Sequence, residues 1–295
     1  GIEYSVEQVK ANVDVGQTKQ IAVVLTREVE TPGYVGADFH LHAQPSLDSN
    51  LSLPDRVRSV VGEGVEVLVS TDHNFVTDYQ PTITDLGLQN WANSMIGLEL
   101  TTLESGHFNG YPLTRNVGAI TKGAFEWSLQ PPDTIFDTIR GMGELGPDDT
   151  IVQINHPRDT ILGYFEQYGL DPLTGGLPEP PDCTIPLSDP TGCIIPPNGS
   201  AFRTADGLST FSYNFNAIEV LNASVAGRIH HARMPASLDG LNNIPDALRN
   251  NPPEVGAILC DGDSIAHAGT ADDWFNLLNL GHKYIGTGTS DSHDA

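Results

Sequence analysis

The stretch Asp38-Phe39-His40-Leu41-His42 sets two imidazoles one residue apart within an apolar-flanked run. In an extended strand the side chains at i and i+2 leave the same face, so His40 and His42 can point together at one cation. By itself the pair serves equally well as ordinary core or surface histidines. Recurrence shifts the balance: residues 65–71 run into Asp72-His73, residues 94–98 into Glu99, residues 150–155 into His156, and residues 284–290 into Asp291-Ser292-His293. Strand-like runs that repeatedly end on imidazole or carboxylate describe a mixed nitrogen and oxygen ligand set, which admits zinc, manganese and iron alike.

Other residues join these candidates. Asp48, in the loop Ala43-Gln44-Pro45-Ser46-Leu47-Asp48, either returns to the cations or is a turn aspartate or helix cap. Glu99 follows an apolar run where an unpaired carboxylate is costly to bury, and a metal removes that cost. His107 follows shortly after and is favoured as a further ligand. Arg158, in Asn155-His156-Pro157-Arg158, reads equally as a rim guanidinium that grips an anionic oxygen and as the partner of a surplus carboxylate. Glu219 and Asn222 end another strand-like run without a ligand assignment. His230 and His231 are adjacent, so at most one would face a site from a helix.

The elements that position these side chains alternate. Pro54 near a helix start, with Val57, Val60 and Val61 at helical spacing and Gly62 beyond, gives a helix over 53–62 between two strands, and a second helical pattern surrounds residues 133–140. Strand, helix, strand order predicts an α/β fold of parallel strands with helices outside and chemistry at the strands' carboxyl ends. Residues 1–33 read as an N-terminal β appendage closed by Thr31-Pro32-Gly33, and 34–295 as the metal-bearing body with a lid-like insertion at about 163–214, rich in Pro, Gly and Ser. Aromatic residues at the edges of that insertion wall a pocket or pack against the body.

With 295 residues, 39% of them hydrophobic, the chain buries a full core. Its 14 Lys+Arg against 38 Asp+Glu, a formal charge of −24, oppose nucleic acid and anionic membranes, leaving a small-molecule substrate. No stretch approaches the roughly 20 apolar residues of a membrane span, and Gly1-Ile2-Glu3-Tyr4 is not a signal peptide. Cys183 and Cys193 flank a Pro-rich loop; a disulfide between them would suit a periplasmic or secreted home, while Cys260 reads as a buried thiol.

Together, Asp38-Phe39-His40-Leu41-His42, Thr71-Asp72-His73-Asn74, Gly97-Leu98-Glu99-Leu100-Thr101-Thr102, Gly106-His107-Phe108-Asn109, Asn155-His156-Pro157-Arg158 and Ser290-Asp291-Ser292-His293 resemble the PHP (polymerase and histidinol phosphatase) family. Their wording is most similar to its carbaryl-hydrolase-like subgroup. The resemblance implies a distorted seven-stranded β/α barrel holding two or three divalent ions, zinc, manganese or iron. It implies that His40, His42, Glu99 and Asp291 hold one ion, that Glu99 bridges to a second held also by His107 and His156, and that His73, His293 and Asp48 hold a third. Asp72 would fix ligand orientation. The chemistry expected is hydrolysis by a metal-bridged hydroxide, first of small phosphate esters, alternatively of carbamates, carboxyl esters or amides. A non-catalytic metal-stabilised module is the reading from another class.

Overall fold

Three strands, β1 (Ala37–Leu41), β2 (Val67–Ser70) and β3 (Asn93–Ile96), form one parallel sheet in that order in a computed structural model of the chain. Residues 3–159, 162–171, 174–177, 209–222 and 269–294 are described. A second sheet follows in the order β4 (Leu98–Thr101), β5 (His107–Tyr111), β6 (Ile151–Ile154), β7 (Ala217–Asn222) and β8 (Ile285–Thr289). Here β4–β5 and β5–β6 pair antiparallel, whereas β6–β7 and β7–β8 are parallel. Five α-helices are described: α1 (Leu53–Gly62), α2 (Gln80–Asp85), α3 (Pro132–Gly141), α4 (Tyr164–Tyr168) and α5 (Thr270–Asn279).

The expectation of a seven-stranded β/α barrel is therefore incorrect: the described strands number eight and divide into sheets of three and five. Two local features account for the difference. The apolar run 94–98 breaks at Gly97, where a Cβ would stand 3.0 Å from the carbonyl oxygens of both Gly110 and Ser70, so the chain threads between the two sheets there. Next, only residues 102–106 join β4 to β5, too few for the crossover of about a dozen residues that a parallel pair requires. Single bridges, Leu41 to Ser292 and His73 to Glu99, link the two sheets at the rim.

Alternation within the five-stranded sheet separates its faces. Leu98, Leu100, Phe108, Val152, Ile154 and Ile218 pack under Ile135, Phe136 and Ile139 of α3, Tyr164, Phe165 and Tyr168 of α4, and Leu277 of α5. The edge aromatics Phe211, Tyr213 and Phe215 join this cluster too, so packing is their role; Phe202 and most of the lid-like insertion lie outside the described residues. A smaller cluster unites Leu41 and Leu68 with Val57 and Val60 of α1 and with Tyr79 and Ile83. Helix α1 starts where expected, with the Ser52 hydroxyl accepting the Asp55 N–H and Pro54 in the first turn.

Within residues 3–33 the sequence forms one antiparallel bridge, Tyr4 to Arg27, with Glu3 paired to Arg27 at 2.6 Å. No described helix is long and apolar enough to cross a membrane. Cys183, Cys193, Cys260, His230 and His231 lie outside the described residues.

Candidate metal centre

The opposite face of the five-stranded sheet is polar and buried. Glu99 pairs with Asn109, Thr101 with His107 and Asn109 with Gln153, so period-two alternation sets all of them on one side. Parallel strands add side chains from their carboxyl ends: His42 after β1, Asp72 and His73 after β2, His156 after β6, Asp291 and His293 after β8. Strand β5 runs the other way, so it brings its first residue, His107, to the same rim.

The nine side chains expected as ligands lie together. Nε2 of His40 is 3.3 Å from Glu99 Oε1 and 3.2 Å from Asp291 Oδ1, and Nε2 of His42 is 3.1 Å from the same Asp291 oxygen and 3.5 Å from Glu99 Oε2. Glu99 Oε1 also lies 3.1 Å from His107 Nδ1 and 3.6 Å from His156 Nε2, and Glu99 Oε2 lies 2.5 Å from His73 Nδ1. Nε2 atoms of His73 and His293 approach Asp48 Oδ2 at 3.2 and 3.3 Å. Three overlapping sets, His40–His42–Glu99, His73–Glu99–His107 and His42–His73–His293, each have their ligand atoms within 4.8 Å of one another and can hold a metal ion.

Surrounding groups aim these donors. Asp72 accepts from the Ala43 N–H at 2.7 Å and from the Ser46 hydroxyl at 3.0 Å, and Ser46 Oγ lies 2.9 Å from His42 Nδ1 and accepts the His73 N–H at 3.0 Å. Asp72 thus acts on His42 through Ser46. Asn155 donates to Glu99 Oε1 at 2.9 Å and to Asn109 Oδ1 at 2.7 Å. Buried Arg56 donates to the carbonyls of His42 and Ser292 at 2.6 and 2.8 Å, tying the first motif to the last.

Backbone strain gathers here as well. His156, Asp291 and Asn74 have φ of 26°, 49° and 50°, a region that costs non-glycine residues about 1–3 kcal/mol. Each spends its N–H inside the site, on Glu219 Oε2, the His40 carbonyl and the Glu99 carbonyl, at 2.6, 3.0 and 2.8 Å.

The electrostatics follow from burying so many charges together. Burial opposes charge on His40, but Asp291, Glu219 and Glu99 outweigh it and lift this imidazole well above its ordinary range. Burial likewise opposes charge on His73, yet Glu99 and Asp48 raise it to about 9. His42 is pushed down to about 4, chiefly by burial. Glu99 is held well below the carboxylate range: burial acts upward, but His73, His40 and His107 prevail.

Whether cations fit can be tested on the buried polar atoms. His40 Nε2, His42 Nε2, His107 Nε2, His156 Nδ1 and Glu99 Oε2 are buried and make no hydrogen bond, five of the ten such side-chain atoms among the described residues. Buried donors and acceptors without a hydrogen bond are rare and costly, and Nε2 of His40 and of His42, both facing the Glu99 and Asp291 carboxylates, are what a bound ion would satisfy. Nitrogen and oxygen donors without sulfur fit zinc, manganese or iron.

By sequence Arg158 has two open readings, a rim guanidinium or the partner of a carboxylate. Its Nε and Nη2 hold the Asp273 carboxylate at 2.7 and 2.6 Å, and Nη2 also reaches the Leu170 carbonyl at 2.7 Å, so of the two readings the geometry favours the carboxylate partner. Glu219 and Asn222, given no role from sequence, contact the cluster directly. The carboxylate in mid-strand between Ile218 and Val220 was the available signal, and it is buried.

No family model matches the sequence, and no curated protein matches it. Among solved structures, a two-domain protein from Bacteroides vulgatus containing a predicted PHP-like metal-dependent phosphoesterase shows 18% identity and a TM-score of 0.33, over 43% of this chain and 36% of that one. A likeness of that size carries no argument about fold or activity.

Proposed function

We propose that this chain is a metal-dependent hydrolase of the PHP kind acting on small phosphate esters. The observation that carries the reading is the convergence of His40, His42, His73, His107 and His156 on the buried Glu99 carboxylate, with Nε2 of His40 and of His42 buried and without a hydrogen bond. In this reading His40, His42 and Asp291 would hold one cation, His107 and His156 a second, and His73, His293 and Asp48 a third, with Glu99 shared between the first two. Bound cations supply Lewis acidity, bringing the pKa of water toward neutrality and polarising substrate oxygens.

The chain's own residues do the rest. Glu99 is fully buried and fixed by Asn155, so its carboxylate is set in place before substrate arrives. Asp72 and Ser46 fix the ring of His42.

Hydrolysis of a carbamate, carboxyl ester or amide is the second reading, and one observation favours it. The arginines bonded to the ligand-bearing segments, Arg56 and Arg158, are engaged by backbone carbonyls, Ser292 and Asp273. Neither is held toward the cluster to receive a phosphate dianion. Aryl phosphates and aryl carbamates offered to the metal-loaded protein decide between the two: turnover of phosphates is expected, and turnover of carbamates alone rejects the first reading. Full metal occupancy without turnover of any ester would instead identify a non-catalytic module.

A further inference from the structure

We infer that Glu219, together with Asn222 on the same strand, is the positioning hub of the centre, orienting His40, fixing the backbone at His156 and holding Asp291 through the Asn222 amide. The inference rests on the reading that the imidazole cluster holds cations, and it assigns roles to two residues outside the nine expected ligands.

Glu219 Oε1 lies 2.7 Å from His40 Nδ1 and also accepts from the Thr289 hydroxyl, while Oε2 accepts the His156 N–H at 2.6 Å and the Asn222 Nδ2 at 2.9 Å. An ionised carboxylate offers about four lone-pair sites, two on each oxygen. All four are taken, so Glu219 has none left with which to ligate a cation. Its action is on the ligands.

The consequences at each contact follow. A carboxylate on Nδ1 makes that nitrogen the N–H donor of His40 and leaves the lone pair on Nε2, the atom that faces Glu99 and Asp291 at 3.3 and 3.2 Å. His42 receives only the hydroxyl of Ser46 at its Nδ1, so His40 is the more strongly polarised donor of the pair. At His156 the bond from Glu219 engages a residue whose φ of 26° is strained, helping to fix the ring against Glu99. Asn222 Nδ2 donates to Asp291 Oδ2 at 3.0 Å as well as to Glu219, leaving Asp291 Oδ1 turned to both His40 and His42. One strand of the sheet thereby sets three candidate ligands that arrive from β1, β6 and β8.

The isosteric Glu219→Gln variant tests this, because an amide replaces two acceptor sites with two donors. Either orientation sets a donor against a donor, at the Nδ1–H of His40 or at the His156 N–H and the Asn222 amide, whereas the Thr289 hydroxyl can turn to accept. Competition of the purified protein with a chromogenic chelator for zinc is expected to show affinity about 10- to 100-fold weaker than wild type. Thr289→Val, which keeps the carboxylate and removes one donor to it, is expected to lose roughly 2- to 10-fold, the worth of one hydrogen bond. In the zinc-loaded protein the Nδ1–H resonance of His40, carried far downfield by its carboxylate partner, should move upfield in Glu219→Gln. A purely structural Glu219 would lower the melting temperature and leave the zinc affinity of the folded variant unchanged, which overturns the inference. If Glu219→Gln does not fold, Thr289→Val decides, with unchanged affinity again overturning it. Wild-type protein that binds no zinc refutes the centre itself, whereas wild-type binding matched by both variants refutes only the hub.

Discussion

Replacing Arg158 by Met removes the guanidinium and keeps most of the side chain's volume. The pair it breaks is buried, with Arg158 9% and Asp273 0% exposed, and bidentate at 2.6 and 2.7 Å; the Leu170 carbonyl loses its donor as well. Leaving one partner of a buried ion pair uncompensated costs about 3–5 kcal/mol. For 295 residues, an unfolding entropy near 2.1 cal/mol/K per residue converts that into a fall in Tm of about 5–8 °C. The pH dependence has a definite sign. Burial holds Asp273 above its ordinary 3.8, at about 6, against the opposing pull of Arg158. A carboxyl raised in the folded state contributes most below its unfolded pKa, and that contribution is lost as pH rises through about 6. Without the guanidinium the shift grows, so the deficit of Arg158→Met relative to wild type should be largest near pH 8 and shrink toward pH 5. Arg158→Met/Asp273→Leu should recover most of the loss, since the fully buried carboxylate is then gone and only Glu166, 3.6 Å from the guanidinium and 11% exposed, loses a cation. Thermal unfolding of the three proteins across this pH range is the assay. A single variant within about 1 °C of wild type at every pH refutes the reasoning, and a raised KM at wild-type stability would restore Arg158 to a substrate-binding role.

Protein purified without added metal should carry about two to three equivalents of transition metal by elemental analysis, falling sharply in Glu99→Ala, because two of the proposed sites share that carboxylate. Stripping the metal with a chelator should lower Tm by roughly 4 °C if the free ion had stood near a hundredfold above its Kd, and an unchanged Tm would count against metal in the fold. Ser46→Ala should weaken zinc binding by about tenfold in competition titration, because its hydroxyl contacts His42, Asp72 and the His73 N–H. Gly97→Ala should cost about 1–3 kcal/mol in denaturant unfolding, since its Cβ would press on two backbone oxygens that cannot swing aside.

The first motif was readable because strand periodicity is local: alternation alone sets His40 and His42 on one face, and their Nε2 atoms do meet the same Asp291 oxygen. Helix α1 was readable for the same reason, from Pro54 and the valine spacing. The barrel was not, because strand direction depends on connections. Residues 94–98 look continuous in sequence, yet Gly97 passes where a Cβ would crowd two carbonyl oxygens and hands the chain from one sheet to the other. Glu219 was passed over because a ligand is sought at a strand's end, whereas an orienting carboxylate acts from the middle of β7. Arg158 shows the complementary limit: its sequence neighbours left rim and carboxylate partner evenly weighed, and Asp273, 115 residues away, takes its guanidinium.

The seam between β1 and β8 is where the candidate centre and the fold meet. Leu41 bridges Ser292, the His42 N–H donates to the Ser292 carbonyl at 3.1 Å, and Arg56 joins both segments across 236 positions of chain. Closing so long a loop is entropically costly, though the cost grows only slowly with length. A cation shared by His40, His42 and Asp291 would fasten the same seam from the polar side while Arg56 fastens it from below. Metal binding would then be a term in the folding free energy. Hydrogen exchange at the His42 and Asp291 amides should therefore slow on metal loading more than exchange in α3, which packs on the opposite face of the sheet and meets none of the ligands. Equal protection in both regions would separate the metal from the seam.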